Sequence, residues 1–490
     1  MKEQVAIIGA GASGLTAAYR LLVKRLNYRN ITIYDARPRA GGRFKTGYLK
    51  SKLIELGAQN IRDGGKAPHI LALAQELGVE VETTETPATE AFYDSNGFYE
   101  PEPLPEAVLV QLDNQLNTLV TPYNSMQTVL DALFENPILT PQQKRLKGSC
   151  AAHISSYEGV TLDRLAAYNN VALIRDALRL SLLPNVWTTF KGGASTLINA
   201  LVHRLGDRLQ LNHVLQRVSN TPNNQIQLDF QNGKIATCDK LIMAIPTPCY
   251  QDIHFSEGTL STEKLARIHQ VQYGTNAKII VPVQCRNIPY ETVVTNNLGG
   301  TNTTLISWLN PEKDVLTLYF RGDDGQGNIK ALYADAIQLI KSCYQDHIEI
   351  DSRPPVRAIE ANFAFYDGPV IQTWMGPYSR GAYSSCSIDL QKQGIDTQDI
   401  FAPVNDRFFF IGEHATIDPE YVGTMEAAVE SADRLACLFE QRYGLADTRP
   451  AVIFGGPSRL PSTAIDINAS GALDPAVEPR DDNVEKIRPS

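Results

Sequence analysis

The first residues of the chain have the hydrophobic pattern of a strand, a turn, a helix and a second strand. Residues 5–8 are a short apolar run, and apolar residues recur at near-helical spacing through residues 14–26. Residues 31–34 form a second run, rich in β-branched side chains. A β-α-β unit of this kind spans about 30 residues and begins a parallel, doubly wound sheet. We therefore predict an α/β fold.

Further along the chain, the pattern predicts helices first and then strands. Residues 68–168 are rich in helix formers, apart from an acidic, proline-containing segment at 82–106, for which we predict exposed loops. After residue 192 the pattern becomes strand-like again. Buried strands are predicted at 240–245 and 408–411, and helices near 329–344 and at 424–443.

Composition excludes several classes of protein. The 490 residues carry a formal net charge of −9, which argues against a nucleic-acid partner. The seven cysteines form no CxxC pair and the eight histidines no HExxH pattern, so we expect no metal site and a reducing compartment. No apolar run approaches the roughly 18 residues that cross a bilayer. We therefore expect a cytoplasmic protein with no membrane contact.

A GxGxxG motif follows the first predicted strand directly and begins the predicted helix. Gly9 permits a tight turn, Gly11 lets the backbone approach a pyrophosphate, and Gly14 lets helix and strand pack closely. Backbone N–H groups at the N-terminus of this helix, which includes Ala12 and Ser13, attract phosphate oxygens. The motif predicts a bound dinucleotide, either FAD or NAD.

The segment from Asp35 to Arg43 distinguishes these two dinucleotides. Asp35 ends the second predicted strand, where a carboxylate accepts hydrogen bonds from a ribose diol. The run DARPRAGGR closely resembles the EARxRxGGR signature of the flavin-containing amine oxidases. The resemblance implies FAD, with Ala36 and Arg37 near the adenosine and with Gly42 and Arg43 at the phosphates.

Other segments resemble the same family and add candidates for binding FAD. GAQ at 57–59 is similar to a segment whose backbone passes the flavin ring, and the strand near 215 is similar to one that contacts adenine. GEH at 412–414 and GTMEAA at 423–428 resemble the GE…GxMEGA block, which implies that Glu413 binds the ribityl chain. A helix N-terminus near the pyrimidine edge of the flavin would stabilise negative charge there. The candidates are Gly57, Ala58, Gln59, Leu215, Gly412, Glu413, Thr424 and Met425.

Three residues are candidates for catalysis. Lys278, at the start of the strand-like run KIIVPV, matches a lysine that holds a water against flavin N5 in the family. Trp374 and Tyr383 resemble the family's W…GxY segment, in which the tyrosine is one wall of an aromatic cage around the amine.

The chain departs from the monoamine oxidases at two positions. Ala382 stands where those enzymes attach the flavin through cysteine, so we predict non-covalent FAD. Thr424 stands where they have the second tyrosine of the cage. The cage is therefore incomplete unless Tyr421 or Trp374 substitutes, and simple monoamine specificity is in doubt.

The segment GAQNIRDG bears on the substrate. L-amino acid oxidases carry an arginine for the substrate carboxylate at the position of Asn60, and Arg62 lies two residues later. The segment is nonetheless closer to the GAQWIHG of polyamine oxidases. Asn60, Arg62 and Tyr421 are the candidates for substrate binding, and an amine is favoured over an amino acid.

The resemblance implies an FAD-dependent amine oxidase that passes a hydride from the amine's α carbon to flavin N5. The imine would hydrolyse, and O₂ would reoxidise the flavin and give H₂O₂. The alternatives are an L-amino acid oxidase, a biosynthetic tailoring enzyme that uses the imine, a C–C dehydrogenase of the same superfamily, and a non-catalytic FAD-binding partner protein. Lys278 and Tyr383 favour amine oxidation over C–C dehydrogenation.

We predict a Rossmann-like, doubly wound FAD domain interleaved with an α+β substrate domain. The FAD domain comprises residues 1–62, 190–250 and 405–445, and the substrate domain residues 63–189 and 251–404. Residues 446–490 have no periodicity and are predicted to be an extended or disordered tail. The expected partners are a small amine or amino acid and O₂, and the oligomeric state, which includes a homodimer, stays open.

Overall fold

The apolar runs at the start of the chain form neighbouring parallel strands joined by a helix. They are β1 (Val5–Ile8), α1 (Ala12–Val23) and β2 (Ile31–Tyr34) of a computed structural model of the chain. The structure describes residues 3–23, 30–61, 67–85, 89–180, 186–301, 303–321 and 329–443.

The other elements of the described residues follow in chain order. The strands are β3 (Thr46–Leu49), β4 (Lys52–Glu55), β5 (Val81–Glu85), β6 (Glu90–Asp94), β7 (Gly97–Tyr99), β8 (Val186–Phe190), β9 (Leu209–Gln210), β10 (Leu215–Asn220), β11 (Ile226–Phe230), β12 (Ile235–Cys238), β13 (Lys240–Met243), β14 (His254–Phe255), β15 (Ala277–Cys285), β16 (Thr292–Leu298), β17 (Thr303–Leu309), β18 (Val315–Arg321), β19 (Ile348–Ile350), β20 (Val356–Arg357), β21 (Ala364–Tyr366), β22 (Val370–Thr373) and β23 (Phe408–Phe410). The α-helices are α2 (Pro68–Leu77), α3 (Glu106–Leu119), α4 (Met126–Phe134), α5 (Pro141–Lys144), α6 (Leu146–Glu158), α7 (Val171–Leu178), α8 (Ser195–Leu205), α9 (Thr262–His269), α10 (Ile329–Tyr344), α11 (Ile388–Lys392), α12 (Thr397–Ile400) and α13 (Met425–Tyr443).

A parallel sheet in the order β23-β13-β1-β2-β9 carries the glycine-rich loop. Both faces of β1 are covered, as its four buried residues require. On one face, Ile7 belongs to a core with residues of α1, α8 and α13, and on the other, Ile8 belongs to a core with β10 and β11. Since parallel strands share a direction, their carboxyl ends form one edge, where ligands bind in such sheets.

A second, larger sheet in the order β20-β22-β15-β18-β17-β16-β6-β7 provides the other wall of the site. Strands β15 to β18 pair antiparallel, whereas β16 and β6 run parallel. Helix α6 packs on β16, β17 and β18, while α10 packs in the core with β15, β17 and β18.

The predicted α/β fold with a Rossmann-like sheet is confirmed, but one local prediction is wrong. Residues 82–106 contain strands β6, β7 and most of β5 rather than only loops. Their pairing partners are distant in sequence, since β5 pairs with β8 and β6 with β16. Local polarity therefore concealed a buried strand: Ala91 and Phe92 of β6 are fully buried.

The predicted domain boundaries stay a prediction. The strands of the five-stranded sheet lie in the segments assigned to the FAD domain, and those of the larger sheet in the segments assigned to the substrate domain. The small sheet β21-β3-β4 joins both sets, and residues 1–445 form one compact unit. The tail predicted at 446–490 lies outside the described residues. Among the described helices, none has the length and apolar character needed to cross a membrane.

Candidate active site

The three glycines of the GxGxxG motif differ in what surrounds them. At Gly9 (φ +108°) a Cβ would lie 2.6 Å from the carbonyl oxygen of Ala244, and at Gly14 a Cβ would lie 2.0 Å from the carbonyl oxygen of Gly9. At Gly11 no atom would lie within 4 Å of an added Cβ. Gly9 and Gly14 therefore permit strand and helix to pack, whereas Gly11 borders open space, as a backbone that approaches a pyrophosphate requires.

One cavity of about 880 Å³ extends from this loop to the larger sheet. It reaches both the residues implied for the cofactor and those implied for catalysis. The sequence-predicted residues that line it are Gly9, Gly11, Ala12, Ser13, Asp35, Ala36, Arg37, Gly42, Arg43, Gly57, Ala58, Gln59, Asn60, Leu215, Lys278, Trp374, Tyr383, Gly412, Glu413, Thr424 and Met425. Gly14 lies behind the wall, and Arg62 lies outside the described residues.

Asp35 stands at the carboxyl end of β2, as a ribose-binding carboxylate would. Its two oxygens accept hydrogen bonds from the backbone N–H groups of Ala10 at 2.7 Å and Arg37 at 2.8 Å. Burial raises the pKa of Asp35, and these bonds and the nearby arginines oppose that rise. The carboxylate thus fixes the glycine-rich loop while it borders the cavity.

Arg43 and Glu413, implied for different parts of the cofactor, bind each other. A guanidinium nitrogen of Arg43 lies 2.7 Å from Oε1 of Glu413 and also donates to the carbonyl of Ala382 at 2.8 Å. The other oxygen of Glu413 accepts from the N–H and the hydroxyl of Ser384. Burial raises the pKa of Glu413, but Arg43 and these donors more than offset it and hold the pKa below its ordinary value.

Lys278 is buried and its ammonium is fully hydrogen-bonded. Nζ donates to the carbonyls of Gly57 at 2.8 Å and Glu55 at 3.2 Å, and to Oε1 of Gln59 at 3.2 Å. These acceptors match the three hydrogens of an ammonium. Nζ also lies 5.9 Å from the ring centre of Trp308. The GAQ turn and the lysine of β15, predicted from separate segments, are thus brought together.

Lys278 and Glu55 influence each other's protonation. Burial lowers the pKa of Lys278, and the Glu55 carboxyl opposes this. Burial raises the pKa of Glu55. A hydrogen bond from the N–H of Ala194 at 2.6 Å and the charge of Lys278 oppose this rise. Each group thus counteracts the cost of burying the other's charge.

Tyr383 belongs to a closed hydrogen-bonded group with Tyr319 and Asn276. Its hydroxyl donates to the carbonyl of Ser156 at 2.8 Å. Nδ2 of Asn276 donates to the hydroxyls of Tyr383 at 2.9 Å and Tyr319 at 2.6 Å, and those hydroxyls lie 2.9 Å apart. Because the hydrogen of Tyr383 is used by Ser156, Tyr319 donates to Tyr383. The hydroxyl of Tyr383 is then saturated, and its ring is what remains for a ligand.

Two glycines leave room for this group. At Gly159 (φ +73°) a Cβ would lie 2.5 Å from Oδ1 of Asn276 and 3.0 Å from the ring of Tyr383. At Gly423 (φ +80°) a Cβ would lie 3.1 Å from that ring. Burial raises the pKa of both tyrosines, that of Tyr319 to about 12, so both hydroxyls stay protonated at neutral pH. The ring is thus held in a fixed place.

The aromatic wall differs from the expected one. Of the two suggested substitutes, Trp374 is buried and lines the cavity. Tyr421 does not line it, and its carbonyl accepts a hydrogen bond from the hydroxyl of Thr424, the residue before α13. Tyr319 and Trp308, which sequence reasoning missed, line the cavity with ring centres 6.1 Å apart. They lie in β-rich runs with no motif that marks them, and the hydrogen bond between the hydroxyls of Tyr319 and Tyr383 joins residues far apart in sequence.

Comparison with known proteins is consistent with this geometry. The family model described as flavin-containing amine oxidoreductase matches residues 12–438. A flavin-containing amine oxidase of Danio rerio is 23% identical, with 88% of this chain and 84% of that protein covered. Coproporphyrinogen III oxidase of Staphylococcus aureus is 30% identical, but the match spans only a quarter of each chain. A solved structure of putrescine oxidase is similar with a TM-score of 0.67 at 18% identity, covering 90% of this chain and 100% of that one, which shows the fold.

These matches confirm two predictions. The cofactor is FAD, and the chain is an oxidoreductase of the type that acts on CH–NH or CH–NH₂ groups. The cradle at Gly11, the N-terminus of α1 and the buried Asp35 provide the donors and acceptors that such a dinucleotide needs. The chain belongs to the family of flavin-containing amine oxidoreductases.

Proposed function

We propose that this chain is an oxidase that converts an amine to an imine. FAD, when bound, would accept a hydride from the carbon next to the amine nitrogen and pass the electrons to O₂, with H₂O₂ and an imine as products. The observation that supports this most is the position of Lys278: a buried ammonium against the turn at Gly57, in one cavity with the rings of Tyr383 and Trp308.

The residues around the glycine-rich loop would hold the cofactor. The N–H groups at the start of α1 would bind the pyrophosphate, and Asp35 a ribose. Arg43 would contribute positive charge to the phosphates while it stays paired with Glu413. Ala382 offers no thiol to bond the flavin, which supports non-covalent attachment.

The aromatic rings would position the amine and exclude water. Tyr383 and Tyr319 are fixed by Asn276, so their rings can flank an amine without rearranging. A neutral amine is needed for hydride transfer, and a wall of aromatic rings favours the uncharged form by desolvation. The amine would thus lie between the rings and the flavin.

The charges along the wall favour an amine over an amino acid. Seven aspartates and glutamates, Glu158, Asp176 and Glu420 among them, line the described cavity, whereas four lysines and arginines do. Lys278 already has three acceptors, so it provides no free partner for a carboxylate. A negative surface attracts a cationic substrate and repels an anionic one.

Pairs of compounds that differ only by a carboxylate test this proposal. The purified holoenzyme is given phenethylamine or L-phenylalanine, and tyramine or L-tyrosine, and H₂O₂ is measured. We expect the amine of each pair to have the higher kcat/KM, by about tenfold or more, since an unpaired carboxylate would be desolvated. Higher kcat/KM for the amino acids would instead establish an L-amino acid oxidase.

A further inference from the structure

A short loop of the larger sheet meets the carboxyl edge of the parallel sheet beside the cavity. The loop, residues 376–381, follows β22 and is called the strap below; its residues 377–380 line the cavity. The 3₁₀ turn Thr247–Asp252 follows β13, and its Cys249 and Asp252 line the cavity too. The strap and this turn thus bring together two walls that come from different sheets.

An ion pair joins the strap to that turn on the solvent side. Nε and Nη2 of Arg380 donate to the two carboxylate oxygens of Asp252 at 2.7 and 2.8 Å. The side chains of Arg380 and Asp252 are 36% and 45% exposed, so the pair lies at the surface. Two parallel hydrogen bonds are the strongest arrangement for an arginine and a carboxylate. The pair therefore fastens the outer side of the strap.

Arg37 holds the strap on the inner side. Its guanidinium donates to the carbonyl of Tyr378 at 3.0 Å and to the hydroxyl of Ser379 at 2.6 Å. Arg37 is only 10% exposed and Ser379 1%. Because Ser379 and the exposed Arg380 are consecutive, a single layer of chain separates solvent from Arg37, which the family resemblance places near the adenosine.

The backbone of the strap forms a turn that is closed on itself. The N–H groups of Ser379 and Arg380 both donate to the carbonyl of Gly376, at 3.1 and 2.9 Å. Arg380 has φ +52°, a left-handed conformation that residues other than glycine rarely adopt and that neighbouring contacts must maintain. No described atom lies within 4 Å of a Cβ added at Gly376, so the first residue of the strap has open space around it. The strap is thus a compact turn that side-chain contacts hold in place.

We propose that the strap closes the dinucleotide end of the cavity and that the ion pair Asp252–Arg380 keeps it shut, so that FAD enters and leaves when this pair opens. The side chains of the pair bind each other at the surface, so they retain the cofactor by blocking its path. The inference concerns FAD alone and does not depend on which substrate the flavin oxidises.

The first test measures FAD exchange in the variants Arg380→Gln and Asp252→Asn. The holoprotein is diluted over a concentration series, and the flavin fluorescence of released FAD gives the dissociation rate constant and Kd, and hence the association rate constant. Both rate constants should rise about threefold to fivefold, the upper range for one exposed ion pair. Kd should stay within about twofold, because a barrier that is lowered for entry is lowered equally for release.

Arg353→Gln is the matched control. Arg353 makes the same kind of paired contact with Asp351, at 3.0 and 2.6 Å, but does not line the cavity. Its loss should change neither rate constant. High salt should narrow the difference in release between the unmodified protein and Arg380→Gln, because an exposed ion pair is screened.

A double-mutant cycle tests whether Asp252 and Arg380 act as one unit. The double variant Asp252→Asn/Arg380→Gln should release FAD about as fast as either single variant. The exchanged pair, Asp252→Arg with Arg380→Asp, should slow release again. Circular dichroism shows that each variant folds, and since each single variant removes the pair, one that does not fold leaves the other as the test.

Four results would overturn the proposal. They are unchanged release in both single variants, equally fast release in Arg353→Gln, a double variant whose effect is the product of the two single effects, and a weaker Kd with an unchanged association rate constant. The last would mean that Arg380 contacts FAD directly instead of closing its path. None of these results depends on turnover, so they leave the proposed amine oxidation to its own test.

Discussion

The ion pair between the buried Glu413 and the partly buried Arg43 gives a prediction about stability. Arg43→Met removes the cation while Glu413 stays buried and Ser384 still donates to it. Breaking a buried pair on one side costs about 3–5 kcal/mol, because the remaining charge is uncompensated. Glu413→Gln should lower the free energy of unfolding by less, since Arg43 still donates a hydrogen bond to the carbonyl of Ala382 at 2.8 Å. The double variant should be more stable than the sum of the two single losses predicts.

The assay is urea unfolding of the FAD-saturated protein, followed by flavin release and by circular dichroism. The double-mutant cycle should give a coupling energy of about 1–3 kcal/mol. The carboxyl's pKa is lowered in the folded state, so this stabilisation is present above the carboxyl's unfolded pKa and is lost as pH falls through the folded one. Glu413→Gln should therefore be less sensitive to acid than the unmodified protein. Additive losses in the cycle would refute the pairing argument.

Gly159→Ala should destabilise the protein by about 1–3 kcal/mol in urea unfolding, because its Cβ would meet Asn276 and the ring of Tyr383. Between pH 6.5 and 4 the free energy of unfolding should fall by up to about 3 kcal/mol through His414. Burial lowers the pKa of its imidazole to about 4 in the folded protein, so the unfolded chain takes up the proton first. His414→Phe should reduce this loss. Lys278→Met should slow the reaction of the reduced enzyme with O₂ about a hundredfold in stopped-flow measurements.

Each of these predictions has a contrary result. Full stability of Gly159→Ala would mean that Asn276 and Tyr383 are not held as described. An acid loss that is unchanged in His414→Phe would assign it to other groups. Reoxidation of Lys278→Met at the unmodified rate would separate this lysine from the reaction with O₂.

The local motifs were predictable because their chemistry lies within a few residues. The apolar runs at 5–8 and 31–34 coincide with β1 and β2, and Gly9, Gly11 and Gly14 act within one turn of chain. Lys278 was predicted from the family resemblance of the strand-like run that it begins, and the structure brings it to the turn at Gly57.

The rest of the site depends on contacts between residues far apart in sequence. Tyr319 and Tyr383 are 64 residues apart, and the hydrogen bond between their hydroxyls depends on the tertiary fold, which local periodicity does not determine. His153, which lines the cavity, pairs with Glu90, which is 63 residues away and begins a strand in a segment that its polar residues made resemble a loop. Arg43 and Glu413 were each assigned to the cofactor, and nothing local indicated that they would pair.

The visible spectrum of the purified protein under anaerobic addition of amines tests the central claim most directly. A flavin spectrum that bleaches with an amine, and returns in air with formation of H₂O₂, is the result we predict. A flavin spectrum that no amine, polyamine or amino acid bleaches would contradict the assignment as an amine oxidase, and a protein that takes up no FAD would contradict the site itself.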